Sequence, residues 1–172
     1  VRYNPANDGS ANESRRNLLR RLSEIFRTLE QSLLIELIVR PNKDEVDAAG
    51  GFLRWETEIR PVALLQAICE LQDAGVEPDI WAIEPPLEST AAATVAAQVH
   101  VDDRTSTGML FVVANDPTVV PDDPTHLEIV RLAARTPGVT GLLVGPGAYC
   151  DTLTLYHKGM IDRDTAVGHI SS

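Results

Sequence analysis

The sequence predicts an α/β fold: a parallel sheet of about five strands alternating with helices. Three observations predict it. Short apolar runs bounded by turn residues recur at residues 32–40 (SLLIELIVR), 79–84 (DIWAIE), 108–114 (GMLFVVA) and 139–145 (VTGLLVG). Runs of this kind fit strands covered on both faces. Between them lie longer stretches with apolar residues at helical spacing. The two patterns alternate strictly and are joined by short turns, the mark of successive βαβ units.

In chain order, residues 1–5 (VRYNP) read as the end of a first strand, closed by the turn starter Asn4-Pro5. Residues 6–10 read as a loop. Residues 11–30 read as a helix, with Leu18, Leu19, Leu22, Ile25, Phe26 and Leu29 apolar and arginines on the other side. The 32–40 run is broken only by Glu36 and stopped by Pro41. Residues 42–55 read as a loop containing Gly50-Gly51, long enough to be functional. Residues 57–74 return to helical spacing through Val62, Leu65, Ile68, Cys69 and Leu71, with Pro61 near the first turn, where proline is tolerated. Gly75 ends that helix. The next strand carries Glu84 at its C-terminal end and is stopped by Pro85-Pro86. An Ala-rich helix follows over residues 88–99. After the 108–114 strand come Asn115-Asp116-Pro117, a helix within residues 121–135, and the turn Thr136-Pro137-Gly138. The last strand opens into Pro146-Gly147. A short helix spans residues 148–157, and Asp162 caps a final one.

Composition narrows the function classes. The chain has 172 residues, 44% apolar and 23% charged, enough for one domain (residues 1–172) with a sizeable core. The formal net charge of −10 argues against a nucleic-acid or anionic-membrane partner, because both need a basic face. No apolar run reaches membrane-spanning length. Cys69 and Cys150 have no metal or disulfide spacing, so a reducing, cytoplasmic setting is the simplest expectation. Neither GxGxxG after a strand nor GxxxxGK[ST] occurs, so both nucleotide fingerprints are missing. The four histidines (His100, His126, His157 and His169) have no HxxxH or HExxH spacing and read as surface or packing residues, so no metal site is expected. Trp55 and Trp81 read as packing residues. An open doubly wound sheet and part of a (β/α)8 barrel both fit the alternation.

Five stretches carry a family resemblance: VRYNP at residues 1–5, LIELIV at 34–39, the helix start Ile59-Arg60-Pro61, ELQDAGVEPDIWAIE at 70–84, and GLLVG at 141–145 followed by Asp151. Together and in this order they resemble the aldolase-like (β/α)8 barrel domain fused behind the sugar kinase of inositol catabolism, 5-dehydro-2-deoxygluconokinase. That domain is similar in turn to class I tagatose-bisphosphate aldolases. The resemblance implies the C-terminal part of a TIM (β/α)8 barrel, with the family's first three strands upstream of Val1. It implies a carbon–carbon lyase acting on a sugar phosphate or keto-deoxy sugar acid, without a cofactor. The missing strands would come from upstream residues, a second chain or a homo-oligomer contact, because open sheet edges invite pairing.

The sequence departs from that family where the chemistry sits. Family members read Trp-Lys-Ile-Glu where this chain reads Trp81-Ala82-Ile83-Glu84. A Schiff base needs a primary amine at the carbonyl carbon, and Ala82 has none. The chain's two lysines, Lys43 and Lys158, lie elsewhere. The family's Gly-Arg-Gly reads Ala114-Asn115-Asp116, and the arginine after the last-strand glycine is replaced by Pro146. The candidate catalytic residues are Glu84, at a strand end, and Glu36, a carboxylate that needs a partner such as Arg40 or Arg60. The candidate substrate-binding residues are Arg60, Tyr3, Asn4, and the backbone N–H groups at Gly145 and Gly147. For Arg60 a structural ion pair, and for Tyr3 and Asn4 turn chemistry, are the competing readings. A catalytically degenerate barrel, binding a sugar or scaffolding an assembly, is the alternative to the lyase.

Overall fold

A computed structural model describes residues 1–6, 9–114 and 124–171. Four strands form one parallel sheet: β1 (Leu34–Leu37), β2 (Ile80–Ile83), β3 (Gly108–Val113) and β4 (Gly141–Val144), in the spatial order β1-β2-β3-β4. The expected fifth strand at residues 1–5 is reduced to a single parallel bridge, Arg2 to Ile38, held by Tyr3 N–H to the Ile38 carbonyl (3.0 Å) and Ile38 N–H to the Val1 carbonyl (2.8 Å). Pro5 limits its length, because proline has no N–H to continue a ladder.

The helices are α1 (Gly9–Thr28), α2 (Lys43–Ala49), α3 (Phe52–Arg54), α4 (Arg60–Asp73), α5 (Ser89–Val99), α6 (Pro124–Arg135), α7 (Cys150–His157) and α8 (Arg163–Ser171). The start expected for the sixth helix, and Asn115-Asp116-Pro117, lie outside the described residues. Three ends follow the sequence directly. Glu88 caps α5, accepting from the Thr90 and Ala91 N–H groups, which hold its carboxyl below the usual range. Asp162 caps α8 through the Thr165 N–H, with the same effect. Gly75 adopts φ +80 after α4, a left-handed turn that suits glycine.

Residues 42–55 are not the loop expected. Asn42 and Glu45 form a reciprocal capping box that starts α2, and Gly50, at φ 81, ends it. The helical run then resumes at α3 and passes through a π turn, Trp55–Ile59, into α4. Pro61 explains the π turn. It cannot donate to the carbonyl four residues back, and the Arg60 N–H reaches back five residues to Trp55.

Strand order decides where the core lies. Right-handed crossovers that never reverse direction put successive helices on one side of the sheet. One cluster accordingly joins Ile35, Leu37, Trp81, Ile83, Met109 and Phe111 of the strands to Leu19 of α1, Leu64, Ile68 and Leu71 of α4, and Val95 and Val99 of α5, with Ile129 and Leu132 of α6 against it. The opposite face carries Leu34, Glu36, Ala82, Leu110, Val112 and Leu143, and none of these belongs to the cluster. Outside the sheet, α1 turns only part of its apolar stripe inward. Leu19 is buried, whereas Leu18, Ile25 and Leu29 are about half exposed or more.

Tyr3 lies within the core, 1% exposed, and its hydroxyl donates to Glu70 Oε2 (2.5 Å) and accepts from Arg16 (2.6 Å). Burial, reinforced by the Glu70 carboxylate, raises its pKa. Such a group stabilises the fold fully below its unfolded value near pH 10, and the contribution is lost as pH rises through the higher folded value. Tyr3→Phe is therefore expected to cost about 1.5–3 kcal/mol at pH 8. Urea denaturation of both proteins at pH 8 and 11 should show that gap shrinking at the higher pH.

Candidate functional site

The register of the sheet fixes the centre of the face outside the core cluster. Glu36 is paired with Ala82, Ala82 with Leu110, and Leu110 with Gly141. In-register neighbours project side chains to the same side, about 4.8 Å apart. Ala82 therefore sits between Glu36 and Leu110, fully buried, and offers only a methyl group. Glu36 is half-buried on this face.

The strand ends carry a compact charge network. Arg40 follows β1 and Glu84 follows β2, and they meet in a two-pronged pair: one guanidinium nitrogen on Glu84 Oε2, the other 2.7 Å from Oε1. Arg60 comes from the start of α4 and is only 5% exposed. It donates to the Glu84 carbonyl (2.9 Å) and the Pro85 carbonyl (3.0 Å), and its Nε lies 2.5 Å from Glu56 Oε1 as an ion pair. Arg60 thus fastens the end of β2 to the π turn, and its charge is met by Glu56 and two carbonyls. That is the structural role weighed for it in the sequence. Glu84 is oriented twice, at its backbone by Arg60 and at its carboxylate by Arg40.

Of the other predicted residues, Asn4 touches this network at the Arg40 carbonyl, and Tyr3 lies away from it. Tyr3 was expected to line the strand-end face; it points instead into the helix-side core, because the pleat puts it on the side opposite Glu36. Asn4 is 2% exposed and acts as a turn knot. Its amide donates to the Arg40 carbonyl (2.9 Å) and Glu45 Oε2 (2.8 Å), its side-chain oxygen accepts from Ala6 N–H (3.0 Å), and its carbonyl accepts from Asn12 (2.8 Å). The backbone cradle expected at Gly145 and Gly147 is a further correction. The Gly145 N–H donates to Val113 (2.8 Å) and the Gly147 N–H to Ala114 (2.7 Å), both carbonyls at the end of β3. Pro146 has no N–H, so these three residues present no donor to an anion. Ala114 reaches its position at φ 54, an uncommon conformation for alanine.

Lys43 is the exposed first residue of α2, and Lys158 caps the end of α7. Arg40, weighed in the sequence as a partner for Glu36, pairs with Glu84; both end neighbouring strands with opposite charge, and that correspondence was the available signal. Glu45 was hidden inside a stretch read as loop, although Asn42 and Glu45 have capping-box spacing. Among the described residues, no group of three His, Cys, Asp or Glu side chains is placed to hold a metal ion, and no helix is long and apolar enough to cross a membrane. No family model matches the chain, and no curated protein matches it.

The two arginines should differ sharply on removal. Arg40 is nearly half exposed, and exposed pairs contribute about 1 kcal/mol or less. Arg60 is buried, and its loss strands Glu56 and two carbonyls, a cost of about 3–5 kcal/mol. Chemical denaturation of Arg40→Ala and Arg60→Ala should show that order; equal losses would contradict the fastening role.

Proposed function

We propose that the chain is the C-terminal part of an aldolase-like (β/α)8 barrel that has lost imine chemistry, and that it works in the cytoplasm as a sugar-binding or assembly domain. The observation that carries this reading is Ala82 on the face outside the core cluster, beside Glu36. The strand order supports the barrel. A doubly wound sheet reverses its order and carries helices on both faces, whereas a barrel keeps one order and turns its second face inward. The site chemistry supports the loss of activity. Glu84 is neutralised by Arg40, Arg60 is held by Glu56 and backbone carbonyls, and the glycine N–H groups are engaged.

Two neighbouring surfaces support a partner: the bridge-only edge at residues 1–3 and the exposed part of the apolar stripe of α1. A further βα unit, from the same polypeptide or from a second chain, would cover both. A lyase working through Glu36 and Glu84, with Lys43 as amine donor, is the second reading. It is favoured by the position of Lys43, at the start of α2 just after the end of β1.

Incubation with a keto-sugar phosphate and borohydride, read by intact mass, separates the two. No adduct is expected while a class I aldolase traps in parallel. An adduct mapping to Lys43 would establish the lyase instead. Light scattering of the 172-residue chain should give more than a monomer's mass; a monodisperse monomer would count against the partial barrel.

A further inference from the structure

The α5–β3 connection holds an imidazole with an unusual pair of neighbours. His100 follows the last residue of α5. Its Nδ1 lies 2.7 Å from the Ala96 carbonyl and its Nε2 lies 3.1 Å from the Thr107 carbonyl. A carbonyl oxygen only accepts, so each contact needs an N–H on the ring. Neutral imidazole has one N–H and imidazolium has two. We propose that His100 is a proton-operated clasp: protonated, it ties the end of α5 to the entry of β3, and deprotonated, it surrenders one of the two ties.

Three further observations agree. The His100 backbone N–H bonds to Ala97, in the tightened geometry of a final helical turn, which leaves the Ala96 carbonyl for the side chain. A cation at a helix C-terminus is favoured by the helix dipole. Gly138, in the turn between α6 and β4, lies against the ring. A Cβ there would stand 2.8 Å from the ring Cε1 and 3.1 Å from Nδ1, so the imidazole has little room to swing away on that side.

The charged groups of the surrounding elements leave the clasp intact. The α5 helix itself contains no ionisable side chain. In the connection, Asp102 and Glu77 are paired with Arg104, and Asp103 is exposed. On the α6 side Arg131 and Arg135 are exposed; at the end of α4 the nearest acid is Asp73, also exposed. Arg104 already ties the connection to Glu77 ahead of β2, so releasing His100 loosens one end of a segment pinned at the other. This inference does not depend on the function proposed above.

The test is ring nitrogen-15 NMR and amide protection factors for residues 100–108 of the whole chain, at pH 5.5 and 8.5. Both His100 ring nitrogens should carry protons at pH 5.5. Protection should fall about tenfold by pH 8.5, the scale of one charge-assisted hydrogen bond. His100→Gln should abolish the pH difference. Gly138→Ala, which keeps the histidine but crowds its ring, should lower protection already at pH 5.5. An unprotonated ring nitrogen at pH 5.5, or protection in the wild type that does not change with pH, would overturn the proposal; the wild-type spectra decide it even where a variant fails to fold.

Discussion

The structure depends on one topological constraint: four parallel strands added in sequence order without a reversal. Each crossover then returns on the same side, and α1, α4, α5 and α6 meet in one cluster against alternate strand residues. The other face receives no helix from that cluster. Large side chains therefore sort by pleat. Trp81, Ile83, Met109 and Phe111 enter the helix-side core, while Glu36, Ala82 and Leu110 share the remaining face. A charge and a methyl group stand together there because Glu36 and Ala82 are paired in the register.

The same constraint brings the strand ends together, and there the chain satisfies itself. Arg40 meets Glu84, Arg60 meets Glu56 and the carbonyls after β2, Asn4 meets Arg40 and Glu45, and the glycine N–H groups after β4 meet the end of β3. These contacts occupy the two guanidinium groups, the Asn4 amide and the glycine N–H groups, the donors that a phosphate or carboxylate would need. A working site holds groups poised for an incoming ligand. This closed network is why the proposed role favours binding or assembly over bond cleavage.

Much of the architecture was legible in the sequence because burial leaves a local mark. The four apolar runs are the four strands, and Asp162 and Gly75 mark helix ends by their own chemistry. The first strand was overread, since an apolar start before Asn4-Pro5 does not reveal how few ladder bonds can form. The α2 helix was missed because Gly50-Gly51 dominated the stretch, although the Asn42–Glu45 box was present. The site was half legible. Glu84 and Arg60 do share a place, and Glu56 lies only four residues from Arg60, yet the arginines that hold Glu84 come from 24 and 44 positions away in the chain, which no local pattern exposes. Tyr3 was misjudged because a one-residue change of pleat moves a side chain to the other face.

The central claim is that one face of the sheet carries the main core cluster and the other lies outside it. Two leucines test it at fixed chemistry: Leu37, 1% exposed on the helix side, and Leu110, half-buried on the other. Urea denaturation of Leu37→Ala and Leu110→Ala is the most direct measurement. The account predicts a loss of about 3–5 kcal/mol for Leu37→Ala and about 1 kcal/mol for Leu110→Ala. Equal losses would mean that a second layer covers Leu110, and the one-sided architecture would fall.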